Sequence, residues 1–172
     1  MDRQVRLGNR HRHMTLGLTS ALWRTGVVEH QPAIDHWLIP HPRWRPVWLP
    51  SHSQVHLSRH ANEPCLIERF DKVTLRVSTP LRAMLDCIRF RELLGRDIVL
   101  DALRGFSARS DLGLQALRVY ARREKLLKPL LSLFDELYPR RVPLRSRGVT
   151  SAEPCPPASP SSPPPALRSP VP

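Results

Sequence analysis

Between Thr79 and Leu137 the apolar residues recur at helical spacing in four short blocks, separated by residues that stop helices. Leu81, Met84, Leu85 and Ile88 stand at offsets 0, 3, 4 and 7, one buried helical face, with Arg82, Asp86 and Arg89 as a charged stripe beside it. Thr79 is placed to cap this helix, because its hydroxyl oxygen accepts from an orphan first-turn amide. Pro80 follows at the first helical position, where a missing amide costs nothing, and Gly95 ends the block. The second block, capped by Asp97, presents Ile98, Val99, Ala102, Leu103 and Phe106; the third, opened by Ser110 or Asp111, presents Ala116, Leu117, Tyr120 and Ala121. The fourth starts at Pro129, presents Leu130, Leu133, Phe134 and Leu137, and stops at Pro139. None of these helices is long enough to hold alone, so each needs the others to cover its apolar stripe.

Upstream the period changes. Thr19 to Thr25 reads as a short helix closed by Gly26. Ala33 to Ile39 and Val73 to Val77 are rich in strand-forming residues, with Thr74 and Arg76 alternating against Val73, Leu75 and Val77. Pro40, Pro42, Pro46 and Pro50 break the segment between them into loop or sheet edge. The expected fold is α+β: a small mixed or antiparallel sheet followed by a four-helix unit, over residues 15–138.

The wording of these blocks adds a resemblance. TPLRAMLDCIRFRELLGRDIVLDALR, then LQALRVYARR, then EKLLKPLLSLFDEL, resembles the C-terminal domain of AbiEi-type antitoxins, the regulatory halves of bacterial type IV toxin–antitoxin (abortive infection) pairs. SALWRTGVVEHQPAIDHWLIP and IERFDKVTLRVSTP resemble the helix, turn and strands that precede that region in the family. The resemblance implies a cytoplasmic, phage-defence regulator that represses its own operon and opposes a cognate nucleotidyltransferase-type toxin. Members of the family also carry an N-terminal winged helix-turn-helix. Only the polar, basic residues 1–14 precede the matching region here, so DNA binding is expected to be weak or non-specific. Two alternatives stay open: a non-specific nucleic-acid-binding module, and a truncated relic of such a regulator.

Charge sharpens this little. The chain of 172 residues has a formal net charge of +12, and 24 of its 27 basic residues are Arg, the better fork for phosphate and carboxylate. Residues 1–60 contribute +5, 61–138 +3 and 139–172 +4, so the excess sits mainly in the flanks and suits nucleic acid or an acidic protein equally. Residues 1–14 are expected to be disordered. Residues 139–172 hold 11 of the 19 prolines and are expected to form a disordered Pro/Ser/Arg-rich tail. No apolar run reaches the roughly 20 residues needed to span a bilayer, and no signal core follows the N-terminus, so no membrane partner is expected. Cys65, Cys87 and Cys155 are scattered, which fits a reducing cytoplasm and argues against a disulfide framework or a cysteine zinc site.

Candidate chemistry is sparse. His52, His56 and His60 would stack on a helix and hold zinc; on a strand, Val55 and Leu57 face one way while Gln54, His56 and Ser58 lie on an exposed face. The strand reading is preferred, with no metal and no cofactor. In the loop His41 to Pro50, Arg43, Trp44 and Arg45 are candidates for stacking on bases or anchoring a partner, against the plainer reading that Trp37 and Trp48 are core and Trp44 covers the sheet edge. Arg122 and Arg123 are candidate contacts for phosphate or acidic side chains. Asp86, between Arg82 and Arg89, is expected to make structural ion pairs. There is no Walker loop, GxGxxG, GxSxG or CxxC, and no enzyme is expected.

Overall fold

The computed structural model describes residues 2–40, 48–61, 63, 65–70 and 73–139. Among them the chain runs through α1 (Arg3–Arg10), β1 (Thr15–Leu16), α2 (Leu18–Arg24), β2 (Asp35–Ile39), β3 (Ser53–Leu57), β4 (Cys65–Phe70) and β5 (Val73–Ser78). The helical half follows as α3 (Pro80–Arg89), α4 (Arg91–Leu94), α5 (Arg96–Ala108), α6 (Leu114–Arg123) and α7 (Leu127–Leu137). The fold is α+β, as the pattern predicts, and its sheet is mixed. The proline-rich segment from residue 140 onward lies outside the described residues, as do Arg43, Trp44 and Arg45.

A strand of two residues holds the middle of the sheet. The order is β3-β2-β1-β5-β4, with Leu16 antiparallel to Trp37 on one side and parallel to Val77 on the other. β2 and β3 pair in parallel from Asp35 with Ser53 to Ile39 with Leu57, and β4–β5 is an antiparallel hairpin. Paired residues share a face, so Leu16, Trp37, Val55 and Val77 line one side while His36, Leu38, Gln54 and His56 line the other.

The first side is covered by α1, and here the expectation of a disordered N-terminus is corrected. Gln4, Val5, Leu7 and Gly8 are buried. A Cβ on Gly8 would stand 2.8 Å from Leu75 Cδ1 and 3.6 Å from Trp37, so this helix lies hard against the sheet. Two apolar side chains cannot hold a helix of eight residues; polar locks supply the rest. Asp2 caps it by accepting from the Gln4 amide at 3.0 Å, Arg24 bonds Asp2, and buried Asp35 accepts from the Gln4 side chain at 2.7 Å while pairing with Arg3 at 2.9 Å.

The other side carries α2 and the remaining helices. Thr79 accepts from the Arg82 amide at 3.4 Å, Pro80 stands at the helix start, and Met84, Leu85 and Ile88 are buried, as the pattern predicts. Four boundaries differ. α3 stops at Phe90 and a single separate turn, α4, runs on to Gly95. Gly95, not Asp97, caps α5, and Gly113 opens α6. α7 begins at Leu127, so Pro129 falls within its first turn, where proline is tolerated. Ile98 and Tyr120, read as inward-facing, are exposed, and Ala116 is exposed as well. Val99, Ala102, Leu103 and Phe106 suffice to bury α5, and Leu117 with Ala121 to bury α6.

Close packing between α5 and the segment after α2 gives a direct test. A Cβ on Gly105 would stand 2.2 Å from the Val27 carbonyl oxygen. Replacing a helical glycine by alanine ordinarily gains up to about 1 kcal/mol, whereas overpacking against backbone costs about 1–3 kcal/mol or more. Gly105→Ala is therefore expected to lower stability, read as a lower urea midpoint at unchanged slope.

Candidate functional site

Capping by Thr79 sets the phase of α3, and that phase places Arg82, Asp86 and Arg89 along one side of the helix. Asp86 is fully buried and Arg82 is 5% exposed. Arg82 Nε donates to Asp86 Oδ2 at 3.0 Å and Nη2 to Asp86 Oδ1 at 2.7 Å, a bidentate fork. The far side of the same guanidinium donates to both carboxylate oxygens of Glu124, at the end of α6, and reaches Glu63 Oε2 at 3.4 Å. Arg89 donates to Asp86 at 3.0 Å and also to Glu124. His60 meets Glu63 through Nδ1, and its Nε2 lies 3.9 Å from Glu124 Oε2. The ion-pair role expected of Asp86 is present, enlarged by three residues that local spacing does not reveal.

Three carboxylates face two guanidiniums and one imidazole. Burial works to lower the Arg82 pKa, but the hydrogen bonds and charges of Asp86 and Glu124 outweigh it and leave Arg82 raised. Burial likewise pushes the Glu124 carboxyl up, and the hydrogen bond from Arg82 with the charges of Arg82 and Arg89 brings it below 4.5. Ligand-type atoms of His60, Glu63 and Glu124 all lie within 4.8 Å of one another, the one such group among the described residues. Its two carboxylates are already shared with Arg82, and Glu124 with Arg89, so a divalent cation there would stand beside two guanidiniums.

The three histidines of the 52–60 stretch do not come together. His52 precedes β3, and its carbonyl accepts from the Asp35 amide at 2.7 Å. His56 is on the strand, but its face is buried: it meets His36 at 3.0 Å between ring nitrogens and packs on Phe90 with ring centroids 5.0 Å apart. The expectation that Gln54, His56 and Ser58 form an exposed face is corrected, because the α3–α4 junction covers that side of the sheet. Val55 and Leu57, near the sheet edge on the α1 side, are only half-buried. Burial lowers the His36 pKa from 6.5 to about 4.

Beside the ion cluster opens a cleft of about 530 Å³, with Arg59, His60, Arg89 and Arg123 around it and Leu57 and Phe90 as apolar surface. Of the residues singled out in the sequence, Arg123 belongs here, its guanidinium 5.6 Å from the Tyr120 ring. Arg122 is exposed and does not line this cleft. Trp37 is core, while Trp48, read as a core alternative, is 61% exposed with the Arg10 guanidinium 5.1 Å from its ring. Arg59 was missed in the sequence; only its nearness to Arg89 and Arg123 in space marks it. Among the described residues no helix is long and apolar enough to cross a membrane.

Two measurements test this arrangement. Asp86→Ala leaves Arg82 buried without its bidentate partner and is expected to cost about 3–5 kcal/mol in denaturant unfolding, well above an exposed ion-pair deletion such as Asp101→Ala, expected below about 1 kcal/mol. The second is pH. Folded His36 refuses a proton that the unfolded chain accepts, so its contribution is complete above 6.5 and is lost as pH falls from 6.5 toward 4. That gap is worth up to about 3 kcal/mol; in the ion cluster the depressed Glu124 carboxyl loses stability as pH falls below 4.5, while Asp86, raised by burial, works in the opposite direction. Urea midpoints are expected to decline as pH falls from 6.5 toward 4, and His36→Gln to flatten that decline.

Comparison of the chain with models of known protein families gives no match, and comparison with curated proteins gives none.

Proposed function

We propose that this protein is a non-catalytic binding regulator of the antitoxin kind, opposing a cognate nucleotidyltransferase-type toxin and taking part in repression of its own operon. One observation carries the reading. The stretch with the more specific resemblance, from Thr79 onward, contains both the Arg82–Asp86 pair of α3 and Glu124, which joins that pair and fixes the end of α6 beside α3. The residues that resemble the family are thus the ones that set Arg89 and Arg123 around a common cleft. Guanidiniums in such a cleft bind carboxylate or phosphate bidentately, with Phe90 and Leu57 offering apolar surface to the neighbouring part of a partner. In this reading the carboxylates of the cluster hold the surface in shape and take no part in proton transfer, being committed to Arg82 and Arg89.

A second reading, non-specific nucleic-acid binding, is favoured by the net charge of +12 and draws on the same cleft. Salt separates the two. Nucleic-acid affinity falls with a log–log slope of roughly −0.9 per phosphate neutralised, whereas a protein interface with an apolar centre is less sensitive.

The test is co-expression with a nucleotidyltransferase encoded beside this protein, scored by colony survival. The wild-type chain is expected to rescue growth. Arg59→Glu with Arg123→Glu is expected to weaken toxin binding by about tenfold to a hundredfold and to lose rescue with the melting midpoint unchanged, because exposed charges contribute little to stability. Absence of rescue by soluble wild-type protein would overturn the antitoxin reading. Retained rescue alongside lost DNA retardation in the reversal variant would separate the cleft from toxin recognition.

A further inference from the structure

Three of the large apolar side chains left in water share one groove on this molecule. Ile34, Leu93 and Ile98, exposed by 43%, 54% and 51%, line a single groove of about 500 Å³ between the segment leading into β2 and the α4–α5 turn. Its rim is acidic. Asp97 and Asp101 stand one turn apart on α5; Asp101 is paired with Arg104 of the same helix at 3.1 Å, whereas among the described residues Asp97 makes no ion pair. On a chain of net charge +12, an apolar groove edged by carboxylates calls for an apolar ridge edged by cations.

The same chain carries that ridge. On α6, Leu117 and Ala121 are buried and hold the helix down, while Ala116, Val119 and Tyr120 recur at i, i+3 and i+4 on the open side, Val119 and Tyr120 each 43% exposed. Arg122, one turn beyond Val119, is exposed and makes no ion pair among the described residues. α6 contributes nothing to the groove of its own molecule. We propose that the α6 ridge of one copy docks into the α4–α5 groove of a second copy, Val119 and Tyr120 against Leu93 and Ile98, with Arg122 facing Asp97. The contact joins two different surfaces and is therefore head-to-tail. It rests on different observations from the toxin reading and uses neither Arg59 nor Arg89, although its Tyr120 touches Arg123 of the cleft.

Head-to-tail geometry has a signature that a symmetric dimer lacks, and sedimentation velocity of the full chain reads it. The wild type is expected to show a sedimentation coefficient that rises with concentration beyond that of a dimer or to a closed ring. Ile98→Asp destroys the groove and Val119→Asp the ridge; each alone is expected to weaken self-association at least about tenfold and to sediment as a monomer. An equimolar mixture of the two is expected to form a dimer and stop there, because the intact ridge of one meets the intact groove of the other and no further pair remains. Should either aspartate variant lose its native circular dichroism, Asp97→Arg and Arg122→Asp serve in its place: each alone is expected to weaken association, and their mixture to restore it through both the native and the reversed charge pair. A wild type that stays monomeric to millimolar concentration, a variant that associates like the wild type, or a mixture that remains monomeric would each overturn the proposal.

Discussion

A guanidinium buried to 5% exposure needs partners for nearly all of its five donors, and the way Arg82 finds them organises the helical half of this protein. Asp86, one turn along the same helix, takes one edge of the fork; Glu124, at the far end of α6, takes the other. Such a pair adds little net stability compared with well-packed apolar residues, because both charges are first stripped of water. What it enforces is specificity. Any arrangement of α6 that moves Glu124 away strands a charge in a dry place, so the position of α6 and of the His60–Glu63 segment is tied to α3. The arginine-lined cleft is a by-product of that constraint.

The opposite side of the sheet uses the same device. Asp35, 1% exposed at the start of β2, draws in Arg3 and Gln4 from α1 much as Asp86 draws in its arginines. In both places a buried carboxylate and the groups it gathers help to position a short helix, α1 in one and α6 in the other. Helices of eight to thirteen residues bury too little apolar surface to fix their own orientation, and directional hydrogen bonds to a charged acceptor supply what packing leaves undetermined.

Legibility in the sequence follows the same division. The Thr79 cap, Pro80 and the Met84–Leu85–Ile88 face are local features with a fixed spacing, and the structure places them as read. α1 was illegible because its stability is borrowed from Asp35 and Arg24, far along the chain; by composition alone residues 1–14 are a charged tail. His56 was placed on the wrong face because alternation along an edge strand does not say which face a later helix will cover. In the ion cluster, Asp86 is legible from its i to i+4 and i to i+3 neighbours, whereas Glu63, Glu124 and His60 reach the cluster from other segments of the chain, and Arg59 comes beside the cleft only in space. Ile98 and Tyr120 fit their helical faces by periodicity and are nonetheless exposed, since a stripe wider than its neighbours require leaves its outer members in water.

The two-residue strand at the centre of the sheet has a consequence for how the protein is made. β1 leaves the ribosome ahead of β2, β3 and β4, yet its parallel partner, Val77, emerges only after all three. Until then Leu16 has a neighbour on one side only, and the apolar surfaces of β1 and β2 wait for helices not yet synthesised. The nascent N-terminal half thus cannot mature by itself. The sheet is completed only once β5 has emerged and α3 can cover it, and in that interval its unpaired strands stand open to pairing with other chains.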